Sequence, residues 1–180
     1  KLVKDTDFAP YKEAVENGGE VAAICVDGGT VFSRKQLDAF TDYVKEPIHG
    51  GMKGMGYVKW NEDGTIKSTA EKFFTEEQTR EWLKSCDAKQ GDLLLVVAGE
   101  TKDVQKALGD LRLEIASHNG LRDKNKFAAL WVVDFPMFSF DEENNSWTFE
   151  HHPFTSPKQE HLHMIHSNPG AVLANAYDFV

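Results

Sequence analysis

The chain has 180 residues, carries 20 Lys+Arg against 29 Asp+Glu for a net charge of −9, and is 41% hydrophobic and 27% charged. That length allows one generous domain or two small ones, able to bury roughly 70% of the unfolded surface. No apolar run approaches the roughly 20 residues of a membrane helix, the aromatic content excludes a disordered acidic tail, and the acidic balance excludes a strongly basic nucleic-acid binder.

Glu20–Val26 has the composition of a strand and is stopped by Asp27-Gly28-Gly29. Ser33 with Gln36 three residues on predicts a capping box, and Leu37, Phe40 and Val44 give the helix that follows one apolar face. Gly50-Gly51-Met52-Lys53-Gly54-Met55-Gly56 lacks the GxxxxGK[ST] spacing that wraps a phosphate, so it reads as a loop at a strand entrance. Tyr57–Trp60 and Thr65–Lys67 flank the turn Asn61–Gly64 as a hairpin. Thr75 with Gln78 opens another capped helix, and Leu93–Ala98 is a strand covered on both faces. Thr101 is expected to cap the longest helix, carried by Val104, Leu108, Leu111 and Ile115 and ended by Gly120. This order predicts an α+β domain, a sheet covered by helices.

Charge then changes. Residues 1–126 carry 19 basic and 22 acidic side chains, whereas residues 127–180 carry one, Lys158, against seven, with five of the seven histidines. The step predicts two units, 1–126 and 127–180, with the boundary near Leu121–Lys126. In the second unit Ala128–Asp134 reads as a strand, and Met137–Phe140 with Ser146–Glu150 as a hairpin around Asp141–Asn145. Lys158–Asn168 is expected as a short helix, and Pro169-Gly170 as the start of another reaching about Asn175. Ala176–Val180 reads as the beginning of a strand. The chain starts at Lys1 rather than Met and stops inside that strand, so the expectation is a piece of a longer protein.

Cys25 and Cys86 are the only cysteines and form no CxxC pair, which predicts reduced thiols and a cytosolic setting. His161, His163 and His166 lack an HExxH pattern or a nearby cysteine, so a solvated face is preferred to a zinc site. His151-His152-Pro153-Phe154-Thr155 directly follows a strand, where binding sites are often built. The residues alone leave two readings open there: a binding pair or a satisfied structural pair.

Trp131-Val132-Val133-Asp134-Phe135-Pro136-Met137-Phe138, His151-His152-Pro153-Phe154-Thr155-Ser156-Pro157 and Ala176-Tyr177-Asp178 together resemble bacterial-type aspartyl-tRNA synthetases in order and spacing. Val21–Val26, Ser33–Gln36 and Gly91–Leu94 are similar to the insertion (GAD) domain of those enzymes. The resemblance implies a class II ligase that activates aspartate with ATP and magnesium and esterifies tRNA, working as a homodimer in the cytoplasm. Residues 1–126 would be the insertion domain, and 127–180 antiparallel strands of the catalytic sheet. His151 would bind L-aspartate, His152 would help order the pocket, and Asp134 would be structural. The ATP-site motifs would lie outside this chain, which would be inactive alone. Two alternatives remain. The first unit could be a tRNA- or protein-binding module using Arg34, Lys35, Lys53 and Lys59, and the chain could be a stand-alone His-metal hydrolase.

Overall fold

The structure, a computed structural model, describes Val3 and residues 6–180. Contacts divide the chain into Lys1–Arg122 and Asp123–Val180. The first unit runs α1 (Ala9–Glu16), β1 (Glu20–Val26), α2 (Arg34–Lys45), β2 (Gly56–Trp60), β3 (Ile66–Ser68), α3 (Glu76–Ser85), β4 (Leu93–Gly99) and α4 (Thr101–His118).

The apolar run at Leu93 sets the architecture of this unit. β4 lies inside an antiparallel sheet of order β1-β4-β2-β3, and Leu93–Val97 are all buried. Successive side chains of a strand point to opposite faces. Leu93, Leu95 and Val97 therefore join Leu37, Phe40 and Val44 of α2 and Val104, Leu108, Leu111 and Ile115 of α4. Leu94 and Val96 join Tyr11 of α1 and Trp82 and Leu83 of α3 on the other face. Edge strand β1 repeats the alternation, with Ala22 and Ile24 on the first cluster and Val21, Ala23 and Cys25 on the second. Each leucine so enclosed stabilises the fold by about 2 kcal/mol relative to exposure.

The local signals explain the ends of the helices. Ser33 and Thr75 accept the backbone N–H of Gln36 and Gln78, whose side chains return bonds to the N-cap residues, so both capping boxes form. The hairpin turn closes with Gly64 at φ 84°, and Asp63 accepts the Thr65 N–H at 2.9 Å. At the end of α4, Gly120 takes φ 65°, its N–H reaches the Ser117 carbonyl, and the Leu121 N–H reaches the Ala116 carbonyl. That pair of bonds is a Schellman ending and needs the left-handed residue that glycine supplies.

Two readings need correction. Thr101 does not cap α4: it is the first helical residue, and the N-cap is Glu100, which makes no side-chain cap bond. The helix begins one residue earlier than a threonine cap requires, because Glu100 already takes the extended backbone of an N-cap. α1 has no counterpart in the sequence reading. It spans eight residues with only Tyr11 and Ala14 buried, too little periodicity to register.

The second unit contains β5 (Trp131–Val133), β6 (Phe138–Asp141), β7 (Ser146–Phe149) and β8 (Tyr177–Phe179). β5 pairs antiparallel with β8, and β6 with β7. The expected helix over 158–168 is a 3-10 turn, Gln159–Met164. The helix expected from Pro169 stops at Ala171, after which the chain extends. Its reason is pairing. Met137 donates to the Val172 carbonyl and Ala174 to the Phe135 carbonyl, while on the other side Lys158 donates to Leu173 and Asn175 to Ser156. Those backbone groups cannot also serve a helix. Met137, Val172 and Ala174 form the buried centre of this unit. Among the described residues no helix is long and apolar enough to cross a membrane.

Candidate functional site

The second unit places its histidines differently from one another. β5 ends at Val133, and the next residue, Asp134, adopts φ 64°, a left-handed conformation uncommon for residues other than glycine, although Asp and Asn adopt it most readily among them. The turn delivers Phe135, whose carbonyl is held by the Ala174 N–H at 2.7 Å. After β7, the Glu150 N–H bonds the Met137 carbonyl at 3.1 Å and leads the chain into His151.

His151 is half-buried and meets the Phe135 ring edge-on, with centroids 4.9 Å apart. Its Nε2 is buried and has no hydrogen-bond partner. A buried polar nitrogen without a partner costs about 1–3 kcal/mol, a state that Trp60 Nε1 and Trp82 Nε1 of the first unit share, and in the second unit it singles out this atom as the one with bonding capacity left over. His152 is exposed and satisfied locally. Its Nδ1 accepts the Phe154 N–H at 3.2 Å, and its carbonyl accepts the Thr155 N–H at 2.8 Å. An accepting Nδ1 places the proton of the neutral ring on Nε2. His152 therefore shapes the turn, while His151 presents unmet bonding capacity.

The remaining histidines do not gather. His161 Nδ1 accepts the Leu173 N–H at 3.0 Å, which fixes the extended segment from behind. His163 and His166 are exposed. Among the described residues the group able to converge on a metal is Cys25, Asp27 and Asp92 in the first unit, and it contains no histidine. Asp92 is engaged already, accepting the Gly28 and Lys89 N–H groups at 2.8 Å each and facing the Cys25 thiol at 4.0 Å. Burial, with Asp92 next in effect, pushes that thiol up to about 11. The cluster closes two turns around the start of β4.

In the first unit the loop from Gly50 enters β2, as its glycines suggest, and lines an open groove of about 1110 Å³ with Tyr11, Gly99 and Thr101. The groove holds none of the histidines. Of the basic residues weighed for a binding face, Lys59 is committed to the Thr30 and Phe32 carbonyls at 3.0 and 2.6 Å, whereas Lys53 is exposed and makes a surface ion pair with Glu13 at 2.8 Å. Arg34 and Lys35 are exposed.

Sequence reasoning missed Lys158 and Phe135 as neighbours of the histidine turn. Lys158 pairs with the Asp134 carboxylate, which raises its pKa. A signal existed: Lys158 is the lone cation of residues 127–180.

Residues 11–108, wholly within the first unit, match the GAD domain, and the chain belongs to that family. The likeness does not stop at the domain. The chain is 47% identical over 180 residues to an aspartate–tRNA ligase of Porphyromonas gingivalis, covering 99% of this chain and 30% of that protein. It is 46% identical over 180 residues to that of Bacteroides fragilis and 44% identical over 178 residues to that of Azobacteroides pseudotrichonymphae, again covering 99% of this chain and 30% of each ligase. The resemblance read from the sequence thus extends over both units. This chain spans about 30% of the length of these curated relatives.

Proposed function

We propose that this chain supplies an insertion domain (1–126) and a strip of class II catalytic sheet (127–180) to an aspartate–tRNA ligase. That enzyme activates L-aspartate with ATP and transfers it to tRNA, and its parent chain pairs as a homodimer. The observation that carries the site is the buried, unpartnered Nε2 of His151. In the neutral tautomer protonated on Nδ1, this nitrogen accepts a hydrogen bond from the ammonium of aspartate. A bond to a charged group is stronger than a neutral one and suits recognition of a small polar substrate.

His152 contributes to the same aspartate site by holding the turn that follows His151. Its ring accepts the Phe154 N–H and leaves the backbone in one conformation. ATP and magnesium are taken by the parent enzyme, and no residue of this chain is assigned to either.

The test uses the full-length ligase. In aspartate-dependent ATP–pyrophosphate exchange, His151→Ala should raise KM for aspartate by roughly tenfold to a hundredfold, the loss expected for a bond to a charged partner. KM for ATP should stay within about twofold. An unchanged aspartate KM and rate would overturn the assignment.

A further inference from the structure

Around His151 the second unit forms a closed ring of contacts. After β5, Asp134 takes its left-handed conformation, and the next residue, Phe135, is the wall against which the His151 ring rests. The histidine turn comes back through Pro157 and Lys158, whose N–H bonds the Leu173 carbonyl at 2.9 Å. Leu173 belongs to the extended segment that also holds Phe135 through Ala174. The Lys158 ammonium then reaches across 24 residues of sequence to the Asp134 carboxylate and shuts the ring.

We propose that Asp134 and Lys158 form a latch that positions His151 for aspartate, an inference that rests on the assignment of His151 to that substrate. The pair lies at the surface, with the Lys158 side chain 29% and the Asp134 side chain 53% exposed; what distinguishes it is that the Lys158 backbone is fixed independently by Leu173, so the pair closes a ring rather than joining two free side chains. The Asp134 backbone takes the left-handed conformation, which Asp adopts more readily than most residues, and this turns its carboxylate toward the Lys158 ammonium. Seven acidic residues lie in 127–180 against one Lys or Arg, so Lys158 is the one permanently charged donor within that segment. Both residues act through Phe135 and the histidine turn and are positioning residues.

The full-length ligase again provides the test. Lys158→Met and Asp134→Asn keep side-chain length and tolerance of the left-handed backbone, respectively, while removing one charge. Each should raise KM for aspartate about fivefold while leaving KM for ATP within about twofold, the scale of a partly screened ion pair. The double variant should be no worse than either single one, because the second change removes nothing further. Lys158→Arg should restore most of the wild-type aspartate KM. Unchanged aspartate KM in both single variants, or additive effects in the double, would overturn the latch. Equal rises for aspartate and ATP accompanied by a lower melting temperature would do so too, since that is loss of structure. His151→Ala in the same series separates the two ideas. If it raises aspartate KM while the latch variants do not, the latch alone falls. If it has no effect, the substrate assignment falls and takes the latch with it.

Discussion

The two units solve the burial problem in different ways. The first covers both faces of its central strand: β4 has five consecutive buried residues, enclosed by two helices on each side. The second has three buried residues at its centre and leaves Trp131, Tyr177 and Phe179 of its paired strands 61–68% exposed. Aromatic side chains contribute most when buried, so within these 180 residues these strands contribute little of what their composition could. A domain that closes its own core can be ordered on internal contacts alone. A strip of sheet with uncovered aromatics carries surface that further parts of the proposed parent enzyme would cover, and within this chain it rests on backbone pairing, turns and a few polar ties.

The difference is open to attack, most strongly through hydrogen exchange on the 180-residue chain. Amides of β4 should exchange about a thousandfold more slowly than those of β5 and β8, because opening free energies follow buried contact density. Equal protection in the two units would remove the contrast. Leu95→Ala is the next lever. Leu95 of β4 is fully enclosed against α2 and α4, and its truncation should cost about 3 kcal/mol in urea unfolding followed by far-UV circular dichroism. A loss under about 1 kcal/mol would mean that the packing relaxes far more than a two-sided sheet allows.

The smallest expected effect is electrostatic. His49 Nδ1 donates to the Asp110 carboxylate at 2.9 Å, while its ring stacks on Tyr43 at 3.8 Å and so ties the turn before the glycine loop to α4. The hydrogen bond from His49, then that from Lys106, holds the Asp110 carboxyl below its usual range. A depressed carboxyl stabilises the fold at pH values above its unfolded pKa of about 3.9, and that stability is lost as pH falls through the lower folded value. Asp110→Asn should therefore flatten the acid limb of the first unit's stability curve below about pH 4 and leave the curve near neutrality similar in shape. An unchanged acid limb would show that the tie carries no net proton linkage.

Legibility in the sequence follows the same division. In the first unit the signals were local and redundant. Ser33 and Thr75 announced their helices, Asn61–Gly64 its hairpin, and the continuous apolar run Leu93–Ala98 its covered position. α1 escaped because two buried residues in eight leave almost no period to read. In the second unit the decisive interactions join residues far apart in sequence. Pro169-Gly170 carries the local pattern of a helix start, but Val172–Asn175 is claimed by backbone partners on both sides. The positive φ of Asp134 and its pairing with Lys158 left only the faint trace of a lone cation among carboxylates. His151 and His152 were visible as a pair from their place after a strand. Their separation into one satisfied ring and one with a free buried nitrogen depends on which groups surround each ring, which spacing cannot express.

The claim at the centre of this account is that the His151 ring meets aspartate. Calorimetric titration of L-aspartate into the full-length ligase measures that contact without any catalytic step. The account predicts that His151→Ala weakens aspartate binding at least tenfold, with ATP binding unchanged within about twofold. Equal aspartate affinity in the variant and the wild-type enzyme would contradict it.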